Sequence, residues 1–277
     1  MRLLTTLLTA ALLTLPLAAQ QPQQPKRKKI LAIGAVTGFQ HDSVSHALAS
    51  VDRWGKETGL WDTWIKTDTQ LLTKEKVPAG NAKNLNFFDA VIFYTTGELP
   101  LNDEQKKSLM SFIKEDGKGF IGIHSATDTF YQWPEYGEMI GGWFDQHPWN
   151  TFEAPVLVED RNHPATKHMP NSFTWRDEIY QFKNYSRDDK RVLMRLDPSK
   201  LDLKNPRVHR KDNDFAVTWV KSYGKGRVFY STLGHVEEAY DYPLIKQMYI
   251  EGIKWALGLT EGDTTPHPLP ASTGGAQ

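Results

Sequence analysis

The stretch GKGFIGIHSATD, Gly117 to Asp128, has the form of a buried strand that ends at a histidine. Phe120, Ile121 and Ile123 supply an apolar run of strand length, and His124 closes it ahead of small and polar residues. In several hydrolases built on open α/β sheets, a sharp turn at this place presents a nucleophilic Ser or Cys. Here the strand presents an imidazole.

The elements around it give the sheet. KKILAIGAV (Lys28 to Val36) reads as a first strand. In the segment after it Val44, Leu48, Val51 and Trp54 recur at helical spacing, with Asp42 or Ser43 as the N-cap. WDTWIKTD and FFDAVIFYTTGE are further strands, the second apolar enough to be buried on both faces. LNDEQKKSLMSFIKEDG is a capped helix closing on Gly117. This alternation predicts an α/β fold, an open and mostly parallel sheet with helices on both faces. The second half is less regular: strands at TFEAPVLVED, SFTWRDEIYQF and RVLMRLD, a hairpin turning at Tyr223–Gly226, and a last helix in YPLIKQMYIEGIKWALGL.

The start of the 277-residue chain has a different character. Met1-Arg2, an apolar run with Pro16, and small residues at Ala18 and Ala19 form the pattern of a secretory signal peptide over residues 1–19. Residues 20–28 read as a polar, Pro-rich leader, 29–260 as one domain, and 261–277 as a disordered-type tail. An exported protein, periplasmic or secreted and without a stable membrane anchor, is the expectation. Lys+Arg and Asp+Glu balance at 33 each, so nothing advertises nucleic acid. The chain has no cysteine, which excludes disulfides, thiol nucleophiles and thiolate metal sites. Walker and GxSxG spacings are absent, GxGxxG is absent after the first strand, where IGAVTGF is only a loose echo, and no nucleotide cofactor is expected.

Ligands of doubly wound sheets bind outside the carboxyl ends of the strands. His41 follows the first strand, His124 ends another, and His235 ends GRVFYSTLGH, so three histidines fall on one rim; His147 in DQHPW can join them. Carboxylates lie nearby. Asp177 and Glu178 sit side by side in one expected strand, where alternation sends them to opposite faces. Glu178 shares its side with Tyr180 and Phe182, and Asp177 shares its side with Trp175 and Ile179, so either can be the one that faces the site. Asp128 is a further candidate, equally explicable as a turn residue. Imidazoles and carboxylates without thiolates suit one divalent ion such as Zn²⁺, Ni²⁺ or Mn²⁺, held by His41, His124, His147 and His235; they suit metal-free acid–base work equally. Trp133, Trp143, Trp149 and Tyr131, clustered after His124, are either a sugar platform or loop packing.

Taken together, GFQHDS, FFDAVIFYTTGE, GKGFIGIHSATDTF, GGWFDQHPW, DRNHPAT, RDEIYQF and GKGRVFYSTLGH resemble the ThuA-like family, named for trehalose utilisation, over about Lys29 to Leu259. Gln40 departs from the pattern, standing where a basic residue is more frequent. The resemblance implies a flavodoxin-like fold similar to class I glutamine amidotransferases, with His124 where those enzymes carry a nucleophilic Cys. It also implies action on a glycoside or 3-keto-glycoside. A ketone at C3 acidifies the C2 proton; His124 or Glu178 would remove it, Asp177 being the competing carboxylate, and His235 or His41 would protonate the leaving oxygen. Gln40, Asp128, Tyr131, Tyr180 and the three tryptophans are the expected substrate contacts. The rival expectations are a carbohydrate-binding protein without catalysis and a metal-dependent hydrolase of another small substrate.

Overall fold

The computed structural model describes residues 26–76 and 83–270. The expected signal peptide and most of the leader lie outside these residues.

A nine-stranded sheet forms the centre, and its first half is parallel. β1 (Lys28–Ile33) pairs with β2 (Trp61–Lys66) on one side and β3 (Ala90–Phe93) on the other; β3 pairs with β4 (Gly119–Ile123). The outer half comes from β6 (Thr151–Val158), β7 (Ser172–Glu178), β9 (Arg191–Leu196) and the hairpin of β10 (Ala216–Tyr223) and β11 (Gly226–Ser231). β11 runs parallel to β4, and from there the sheet continues antiparallel, so the order is β2-β1-β3-β4-β11-β10-β9-β6-β7. The first five strands have the flavodoxin-like order. β5 (Trp143–Gln146) and β8 (Gln181–Lys183) make a separate antiparallel pair.

Alternation along β1 divides the core. Ile30 and Ala32 join the cluster that holds Val51 and Trp54 of α1 (Ser43–Thr58) and Met248 and Tyr249 of α4 (Pro243–Ala256). Leu31 and Ile33 join the opposite cluster, with Phe112 of α2 (Asp103–Lys114) and Tyr136 of α3 (Pro134–Ile140). Each fully buried side chain of this size contributes roughly 1.5–3 kcal/mol, so β1 is held from both faces. α2 begins with a capping box, in which Asn102 accepts from Gln105 N and the Gln105 side chain accepts from Asn102 N.

Two expectations change. RDEIYQF is not one strand: the chain leaves the large sheet after Glu178 and enters the small one at Gln181. Residues 261–270, expected as free tail, are bonded to the body. Arg191 pairs with Asp263, Trp255 Nε1 donates to Gly262 O at 3.4 Å, and His267 Nε2 lies 2.9 Å from Val192 O. Pro and Gly content signals a lack of regular structure, and these contacts need none.

Candidate functional site

The strand β4 breaks at His124, which opens a 3₁₀ turn through Thr127 with φ +43°. A β-carbon in that region is strained by about 1–3 kcal/mol, so neighbours must hold it. The His124 ring is fully buried, and its Nδ1 donates to the Thr232 carbonyl at 2.5 Å, while the Tyr230 hydroxyl donates to the His124 carbonyl at 2.7 Å. Gly122 clears the space for the turn, because a Cβ there would lie 2.9 Å from the Tyr230 ring. With Nδ1 spent on a carbonyl, Nε2 is the nitrogen with a lone pair facing the site.

Three other donors converge on that nitrogen. His41 comes from the loop after β1, Glu178 is the last residue of β7, and His235 lies four residues beyond β11. One donor atom from each of His41, His124, Glu178 and His235 falls within 4.8 Å of the rest. His235 Nδ1 is 3.3 Å from both His124 Nε2 and Glu178 Oε2, and His124 Nε2 is 3.6 Å from Glu178 Oε2. The Tyr180 hydroxyl is 2.9 Å from His124 Nε2 and 3.4 Å from His41 Nε2. His147 stands outside this group, its Nδ1 3.5 Å from the second Glu178 oxygen.

Asp177 faces away from the donors. Its carboxylate accepts from the backbone N–H of Gly234 (2.8 Å), His235 (3.0 Å) and Glu178 (2.9 Å). Among the described residues no Lys or Arg pairs with Asp177 or Glu178, and the positive partners of Glu178 are imidazoles.

Burial, reinforced by the neighbouring His124 and His235, pushes His41 down to about 3. Burial favours the protonated form of Glu178, but the neighbouring His124 imidazole and the hydrogen bond with His235 outweigh it and hold the carboxyl well below the usual range. The same bond to Glu178 raises His235 above its ordinary value against the effect of burial. Asp128 is pushed up by burial, opposed by the Tyr131 hydroxyl that donates to it at 2.5 Å.

Above the cluster opens a cavity of about 380 Å³, lined by Phe39, His41, Asp128, Phe144, His147, Glu178, Tyr180 and His235. The aromatic platform expected from the tryptophans is absent from it. Trp133 is packed against Phe130 and Tyr136, Trp143 against Gly137, and Trp149 against Phe152 and Phe215. These rings lie next to apolar partners that sequence spacing does not reveal. Tyr131 is off the lining and touches it through Asp128 and the Phe144 carbonyl, and Gln40 is exposed and off the lining too. The aromatic walls are instead Phe39, 63 % exposed, and Phe144, whose ring packs on Tyr180 at 4.5 Å. Sequence reading missed both, and also the orienting carbonyl of Thr232. The one signal was an apolar residue, Phe39, inside the otherwise polar TGFQH.

A family model described as trehalose utilisation, ThuA, matches residues 29–256. The chain belongs to the ThuA family. Solved structures agree on the fold. A ThuA-like protein of Bacteroides uniformis is 24 % identical, with 86 % of this chain and 94 % of that one covered at a TM-score of 0.66. A ThuA-like protein of Parabacteroides merdae is 17 % identical, with 90 % and 96 % covered at 0.63. No curated protein matches the chain. The flavodoxin-like order of the first five strands is the one expected from the family resemblance.

Proposed function

We propose that this ThuA-family chain is a carbohydrate-processing enzyme whose site holds one divalent ion, and that it acts on a glycoside or 3-keto-glycoside. The convergence of His41, His124, Glu178 and His235 carries the reading. Metal–ligand bonds of about 2.0–2.1 Å at tetrahedral angles put neighbouring donor atoms roughly 3.3–3.4 Å apart. The 3.3 Å separations of His235 Nδ1 from His124 Nε2 and from Glu178 Oε2 meet that requirement, and the 3.6 Å between His124 and Glu178 lies near it. Two imidazole lone pairs at such a distance repel unless a proton or a cation lies between them. Three nitrogens and a carboxylate suit Zn²⁺, Ni²⁺ or Mn²⁺. The carbohydrate class is supported by the family's description.

A bound ion would polarise a ketone or activate water. The remaining chemistry belongs to side chains on the cavity wall. His147, one-third exposed on the cavity wall with its Nδ1 3.5 Å from Glu178 Oε1, is the base this reading assigns. Asp128, biased towards its protonated form by burial and fixed by Tyr131, is placed to donate to a leaving oxygen. Tyr180 and His124 hold the floor in one orientation.

The test is metal analysis of the purified protein together with turnover of matched 3-keto and unoxidised glycosides. Stoichiometric ion and product from either sugar, both lost in His124→Ala, are expected. Ion without sugar turnover, but with ester or amide hydrolysis, would move the protein to another substrate class. Sugar affinity without product would make it a binding protein.

A further inference from the structure

We propose that Asp177 is the positioning residue of this centre, setting the distance between Glu178 and His235. This rests on the metal-holding reading above. Asp177 is wholly buried, and among the described residues its hydrogen bonds all go to backbone N–H groups, those of Glu178, Gly234 and His235. Two of these amides belong to donor residues, and the third belongs to the glycine before one of them. Glu178 leaves the end of β7, at one edge of the sheet, whereas His235 follows β11 in its middle. The two are not joined by strand pairing. The carboxylate is a direct link between the segments that carry them.

Its geometry leaves little freedom. Oδ1 accepts from both His235 N and Glu178 N, and Oδ2 accepts from Gly234 N. An amide in the same place must turn an N–H₂ group toward at least one backbone N–H, which pushes a donor-bearing segment away. The loop has no slack on its other side: Gly234 has φ +121°, and its carbonyl accepts from Tyr94, Tyr240 and Ser43 hydroxyls. Displacement is therefore transmitted to His235. Groups that orient metal ligands typically change affinity 10–100-fold when altered.

The experiment compares wild type and Asp177→Asn, full chain, stripped and titrated with Zn²⁺ against a chromophoric chelator, and then loaded with Co²⁺ for its visible spectrum. Zn²⁺ affinity should drop 10–100-fold and the Co²⁺ bands should shift, with the far-ultraviolet circular dichroism of the folded protein retained. If Asp177→Asn does not fold, Asp177→Ser serves, since it removes the carboxylate without fixing a donor against Gly234. Unchanged affinity and bands, even with a lower Tm, would reduce Asp177 to a structural residue. A wild type that takes up neither ion would overturn the metal reading itself, which is a separate result.

Discussion

His41 ties the stability of the ion-free protein to pH. The unfolded chain takes up a proton near the ordinary 6.5, while the folded protein resists until about 3. Between those values the unfolded state binds more protons, so acidification lowers stability, by on the order of 5 kcal/mol across the window. Glu178 acts in the same direction: its depressed folded pKa gives stability above the unfolded 4.5 that is lost as pH falls further. His235 opposes them, since a raised folded pKa contributes below the unfolded 6.5 and is lost as pH rises through the folded value. Urea midpoints measured in chelator should therefore fall from pH 7 to pH 4.5, and His41→Gln should flatten the slope; a midpoint that rises on acidification would reverse the assignment. Phe39 gives a second residue-scale prediction. Exposed as it is at the cavity mouth, Phe39→Ala should change stability by less than about 0.5 kcal/mol. The KM for a sugar substrate should nevertheless rise several-fold, and an unchanged KM would remove Phe39 from the binding surface. The strand-end histidines were legible because apolar runs stop visibly, and a His at each stop is easy to see. Phe39 and Phe144 were not, because an aromatic residue carries the same letter in a wall and in a core.

At the level of elements, the choice between Asp177 and Glu178 could not be made by alternation, because alternation presumes a strand that continues. β7 ends at Glu178 and β8 starts at Gln181. The break frees Glu178 to turn into the cavity while Asp177 stays among backbone amides. The segment after α4 gives the element-scale prediction. At Gly262 a Cβ would stand 2.5 Å from Nε2 of the buried His163. Gly262→Ala should cost about 1–3 kcal/mol by overpacking, read as a lower urea midpoint with turnover intact. Unaffected stability would mean that Gly262 does not pack against His163. Its docking was hidden from sequence because polar Pro-rich segments look alike whether bound or free.

At the scale of the molecule, the parallel half of the sheet was readable from its strand–helix alternation, and the antiparallel half only as a set of strands. The order in which β10, β9, β6 and β7 extend it depends on long-range pairing with no local mark. An ion held by the four donors would bind the folded state alone, so loading at 100 times Kd should add about 2.7 kcal/mol, which for a chain of this size is a Tm rise of roughly 5–10 °C. A chelator titration followed by calorimetry measures it, and an unchanged Tm in ion-saturated protein would argue that the donors do not act together. The spacing of those donors along the chain has a further effect. His41, His124, Glu178 and His235 are each separated from the next by more than fifty residues. One coordination centre would therefore close three long loops at once, in a chain that has no cysteine to do so covalently. It would work as a reversible cross-link, a four-way knot tied only after both halves of the sheet have met, and ion release would act on the unfolding rate as reduction acts on a disulfide-bonded protein.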